Sequence, residues 1–234
     1  RTKPQEHIEI TGRLDGTVKA SWHGKLQALQ IRSDAVITAQ APAAKRVPAS
    51  SSAVSLDGAV HLAYDGDSEV VSLEHTYLHT PHTLLALEGT LGKQCRLGIQ
   101  VRSDDLREAD QLALVVRESV DAHDHRALKI TEPLGLGGSA SFNGQLQGSV
   151  KEPRLIGQLA GQNVRYRGTT LSMLRTQLDL SSSVIALRQG RLQTSSQGRV
   201  EFDMSVGLKN WSYERENPVS LRIVADRLPI ADVQ

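Results

Sequence analysis

Cysteine is nearly absent. A single Cys95 excludes an internal disulfide framework and any all-cysteine metal site. Aromatic residues make up only 3% of the chain, too few for stacking platforms that hold sugars or single-stranded bases. Charge of one sign is missing too. With 27 basic and 26 acidic residues the net charge is +1, which argues against a nucleic-acid binder driven by phosphate attraction. No apolar run approaches the roughly 20 residues of a membrane span, and no signal-peptide pattern occurs. The 234 residues suffice for one large domain or two small ones. The chain begins at Arg1 rather than Met, which reads as a fragment of something longer.

Motifs that carry chemistry are equally scarce. There is no P-loop and no Gly-x-Ser-x-Gly. Gly135-Leu136-Gly137-Gly138 precedes a strand pattern rather than a helix, so it is not a dinucleotide fingerprint. His75, His79 and His82 stand close in sequence, and His75 and His79 would share a strand face. They lack a carboxylate or thiol at zinc spacing and read as surface or groove-rim side chains. Asp121 to His125 reads as a solvated loop, and Cys95, with no activating neighbour, as inert. These features lead us to expect no enzyme, no cofactor and no metal.

What the chain does have is alternation. Val200 to Leu208 switches between apolar and polar at every step, which puts one face of a strand against oil and the other against water. Short segments of this kind recur, separated by Gly, Asn and Ser. They include Ile8 to Thr11, Thr17 to Trp22 (with Asp15-Gly16 as a turn between them), one or two strands in Leu26 to Gln40, Val54 to Leu56, Val60 to Tyr64, the alternating Val71, Leu73, His75 and Tyr77, and Leu97, Ile99 and Val101. Asp65-Gly66-Asp67 reads as a hairpin turn and Ala41 to Ser52 as a loop. Ser103-Asp104-Asp105 has a capping side chain and acids suited to a helix start. Leu106, Ala109, Ala113, Val116 and Val120 then recur at helical spacing. The competing reading is a buried strand over Leu112 to Val116. Strand pattern returns from Lys129 and persists to Asn210, with a last strand at Val219 to Ala225.

The expected fold is mainly β: a long curled antiparallel or mixed sheet of about 14 to 16 strands, with one helix near 103–120, forming an open apolar groove. Its expected parts are an N-terminal β section (1–102), a helix and loop insertion (103–130) and a second β-groove section (131–234).

The cadence Gly144-x-Leu146-x-Gly148-x-Val150-x-x-Pro153-x-Leu155-x-Gly157-x-Leu159 resembles the TamB family, within the AsmA-like group. Val164-Arg165-Tyr166, Gly168, Leu178, Leu180, Gly190-Arg191-Leu192 and Gly198 continue the likeness, and Ala225 to Ile230 resembles a module end of that family. The match is most specific over 135–234. The resemblance implies a β-taco groove in a protein anchored in the inner membrane and extended through the periplasm. It further implies phospholipid transport toward the outer membrane, support of outer-membrane protein assembly, and an Omp85-type partner engaged by regions outside this chain. The residues expected to line the groove are Leu146, Val150, Leu159, Val164, Tyr166, Leu178, Leu180, Val200, Phe202, Met204, Val206 and Leu221. The same residues could instead form an ordinary core filled from a facing wall. A β-solenoid scaffold or adhesin would need a regular repeat, and a solenoid lyase would need a polar cleft with acids and bases.

Overall fold

The computed structural model describes residues 7–25, 28–39, 51–121, 134–195 and 198–226. These form thirteen strands and one helix: β1 (His7–Ser21), β2 (Gln30–Ala39), β3 (Ser51–Ser55), β4 (Asp57–Asp65), β5 (Val70–His79), β6 (Thr83–Leu91), β7 (Cys95–Ser103), α1 (Leu106–Asp121), β8 (Gly137–Gly148), β9 (Pro153–Tyr166), β10 (Thr169–Ser181), β11 (Val184–Thr194), β12 (Arg199–Gly207) and β13 (Val219–Asp226). All thirteen strands belong to one open, mixed sheet in the order β13-β12-β11-β10-β9-β8-β7-β6-β5-β4-β2-β1-β3. Every pairing is antiparallel except β1 with β3.

β3 and β4 are one strand interrupted at Leu56, whose N–H donates to the Thr11 carbonyl at 2.9 Å. Ser55 pairs with Thr11 of β1, and Gly58 pairs with Ile37 of β2. Three residues reach about 10 Å, less than the roughly 14 Å of three strand spacings, so β3 lies on the side of β1 that faces β2. β2 is thus a wedge, and β1 closes directly onto β3 where β2 ends.

Several sequence expectations change here. Asp15-Gly16 is not a turn. It lies inside β1, with Asp15 opposite Val36 and Gly16 opposite Ala35. A Cβ on Gly16 would crowd the Asp34 carbonyl and Ala35, so this glycine serves a close approach to β2 rather than a reversal. Fusion of those two segments is one reason the strands number thirteen rather than 14 to 16. Ser51 and Ser52 are strand rather than loop, and the first described strand after α1 starts at Gly137. Residues 40–50, 122–133 and 227–234, on which the other loop and module-end expectations fall, lie outside the described residues.

The alternation expected through Val71, Leu73, His75 and Tyr77 also breaks. The β5–β6 register shifts between Leu73 and Thr76 and the β4–β5 register between Leu73 and Tyr77, and His75 sits at φ 47°. Thr76 rather than His75 therefore follows Leu73 on the apolar side. Its buried hydroxyl takes the His61 N–H at 3.1 Å and so serves the backbone of the disturbed ladder. A second irregularity matches it at β10–β11. There Gln189 stands at φ 52°, its N–H donates to Asp203 Oδ1 at 2.9 Å, and the buried Thr176 hydroxyl donates to the Arg188 carbonyl at 3.1 Å. Bulges of this kind bend the strand that carries them and increase its twist.

The expected helix is present, and Val115 and Val116 belong to it rather than to a strand. Asp105 caps it by accepting the Arg107 N–H at 3.1 Å. Two buried acids fix its first turns. Glu108 accepts the Thr80 hydroxyl and, at 3.2 Å, the His82 N–H, tying α1 to the β5–β6 turn. Asp110 accepts the N–H groups of Leu134, Gly135 and Leu136 at 3.0, 2.8 and 3.2 Å, which orients the approach to β8. The principal neighbours of α1 are β8 and β1.

Candidate functional site: an apolar sheet face

Because facing residues in paired strands share a side of the sheet, the registers can be chained across it. One row runs Val219, Val206, Ile185, Leu180, Leu155, Leu146, Leu97, Gly89, Leu73, Leu62, Ser33, Val18, from β13 to β1. A second runs Leu221, Met204, Leu187, Leu178, Gly157, Gly144, Ile99, Leu87, Thr76. A third contains Leu159, Phe142, Val101, Leu85, Leu78, Gly58, Ile37 and Leu14. None of these rows carries a charge. Twelve strands at about 4.8 Å make the longest row on the order of 50 Å.

Among the described residues no second sheet is present to cover this face, because all thirteen strands belong to one sheet. Leu97 is buried, most other residues of the rows are half-buried, and among the described residues no large side chain is fully buried. A filled sandwich or closed barrel core would bury many.

Nine of the expected lining residues share this face: Leu146, Leu159, Leu178, Leu180, Val200, Phe202, Met204, Val206 and Leu221. Val164 joins them. It pairs with Leu171, and its Cγ2 lies 2.6 Å from where a Cβ on Gly161 would be. Tyr166 ends β9 at the hairpin, 39% exposed, with the Arg167 guanidinium 5.2 Å from its ring centroid. Val150 does not line the face: it lies in the β8–β9 connection, 65% exposed. The cadence that singled it out runs past the end of β8 at Gly148, where the strand periodicity stops. The N-terminal half of the face, with Leu62, Leu73, Leu87, Leu97 and Ile99, went unassigned although its alternation was visible. Its strands carry more interruptions, and only the ladder shows that they join the same rows.

The opposite face holds the charge. Arg154 donates to both oxygens of Asp179, at 2.8 and 2.7 Å, and these bonds hold the Asp179 carboxyl below the usual carboxylate range. The histidines divide among separate partners. His61 Nδ1 lies 2.8 Å from Asp34, His79 Nδ1 2.9 Å from Asp57, and His82 Nδ1 2.8 Å from Asp104. His75 shares a shallow polar depression with Arg32, Asp34, His61 and Glu74. Among the described residues no group of three His, Cys, Asp or Glu side chains could hold a metal ion. Cys95 is buried, its thiol 3.6 Å from the Gly92 carbonyl. No described helix is long and apolar enough to cross a membrane.

The arrangement offers a long, uncharged apolar surface. Comparison with protein-family models, with curated proteins and with solved structures finds no match to this chain.

Proposed function

We propose that the apolar face holds the acyl chains of phospholipid, and that the chain is a non-enzymatic segment of a TamB-like lipid conduit between inner and outer membranes. The observation that carries this reading is the set of charge-free rows crossing up to twelve strands of a single open sheet. Each CH₂ taken from water contributes about 0.8 kcal/mol, so a greasy surface of even depth holds a chain without specific contacts and lets it slide. Curvature that makes the face a groove is supported by the bulges. It is also supported by α1, about 24 Å long, whose main neighbours β8 and β1 stand six strand spacings apart, as a chord touches an arc. Location in the periplasm, an anchor elsewhere in the protein and an Omp85-type partner follow from the resemblance of Gly144–Leu159 and are part of the same proposal.

Native mass spectrometry with lipid extraction tests it. The purified chain should carry phospholipid, and Leu159→Asp, Phe202→Asp and Val206→Asp should each reduce occupancy at least about tenfold, because a carboxylate on the face must be desolvated by the chain it meets. A folded protein without lipid, and without uptake of a fluorescent fatty acid, would favour a scaffold instead.

A further inference from the structure

The two ends of the sheet are complementary to each other. Among the described residues β13 has a single neighbour, β12, and Gly12–Ser21 of β1 has a single neighbour, β2. Which backbone groups face outward follows from two hydrogen bonds. Gly207 N–H donates to the Pro218 carbonyl at 2.8 Å, so Ser220, Arg222 and Val224 turn their backbone groups inward to β12. Val219, Leu221 and Ile223 then present theirs outward. At the other end the Thr11 carbonyl accepts from Leu56 on the inner side, so Arg13, Asp15 and Thr17 turn inward to β2. Leu14, Gly16 and Val18 present theirs outward.

Both outward sets belong to the apolar face. Had either edge turned its polar-face residues outward, joining the two would have put the apolar faces on opposite sides. The strands between them are antiparallel at every step, so β1 and β13 run in opposite directions and would meet as an antiparallel pair. The exposed side chains fit this: Leu14 is 67% exposed, Val18 71%, Leu221 59% and Ile223 56%.

We propose that copies of this chain join end to end, β13 of one against β1 of the next, into a continuous sheet with one continuous apolar face. This does not depend on lipid as the cargo. One row already runs from Val219 to Val18, so unstaggered joining sets Val219 against Val18, Leu221 against Gly16 and Ile223 against Leu14. On the polar face it sets Arg222 opposite Asp15, an exposed carboxylate paired with Arg13 at 2.9 Å within its own strand. The two edges differ, so the contact is heterologous and adds copies in line.

Sedimentation velocity over a concentration series tests the proposal, with circular dichroism as the check on folding. The unaltered chain should show a sedimentation coefficient that rises with concentration. Leu221→Pro and Val18→Pro each remove an outward N–H, a change that an edge strand tolerates. Each variant alone should be monomeric, since every copy then lacks one of the two edges that a junction needs, and their equimolar mixture should give only dimers of one variant with the other, joined at the intact pair of edges. Asp15→Arg and Arg222→Asp should each weaken association by about fivefold, and the double variant should restore it. A chain monomeric at all concentrations overturns the proposal, as does assembly that the proline variants leave unchanged. If the prolines disturb folding, the charge pair decides: single variants without effect, or a double variant that fails to recover, count against the junction.

Discussion

At the scale of single residues, glycine and phenylalanine shape the floor of the apolar face. Gly144 and Gly157 face each other across β8 and β9, and a Cβ on either would collide with the Phe142 ring. Gly190 lies under the Phe202 ring in the same way. Each phenylalanine lies flat over backbone that has no side chain of its own, filling what would be a pit. In the sequence such glycines look like breaks between strands, yet these three lie within β8, β9 and β11. Their role was hidden because the residue that needs the space is on the same or the facing strand. Gly190→Val should force Phe202 off the sheet and destabilise the fold by about 1–3 kcal/mol, the usual cost of overpacking, read as a lower midpoint in urea at unchanged m.

At the scale of elements, α1 was the most legible part, because capping and helical periodicity are local. Asp105 holds both its first turn and the Arg107 guanidinium, with bonds of 3.0, 3.1 and 2.6 Å to the side chain. The hydrogen bonds from Arg107 lower its carboxyl to about 2. A carboxyl depressed in the folded state contributes stability that is fully present above the unfolded value of about 3.9 and disappears as pH falls through the folded value. Asp105→Ala should therefore lower the melting temperature at pH 6 by a few degrees, consistent with a lost cap of about 1 kcal/mol. That difference should shrink as pH falls from 4 to 2. A difference that stays constant over this range would show that the charge of Asp105 is not what matters. The bulges at His75 and Gln189 were not legible. A non-glycine residue at positive φ is held there by its surroundings, in these cases by ladder partners far away in sequence.

At the scale of the molecule, all described strands form one sheet with one oily face, and few of the described side chains are buried. Little apolar surface leaves water when such a chain folds. Its heat-capacity change on unfolding should fall well below the roughly 12–15 cal/mol/K per residue of globular domains, measurable by differential scanning calorimetry. Bound acyl ligand should raise the melting temperature and move that value upward, because the ligand supplies the second side of the missing core. A globular heat-capacity change in ligand-free protein would mean that the face is covered in solution.

The sequence by itself determined what short-range order controls. Period-two alternation announced strands with unlike faces, and Ser103-Asp104-Asp105 announced the helix. Only the tertiary structure decided how those strands register. It carried β1 through Asp15-Gly16, wedged β2 between β1 and β4, shifted the apolar side at Thr76, and left Val150 outside the face while drawing Leu62, Leu73 and Leu97 into it. The reason is physical. Alternation is a property of each strand alone, whereas a row across the sheet exists only once partners distant in sequence fix one another's register.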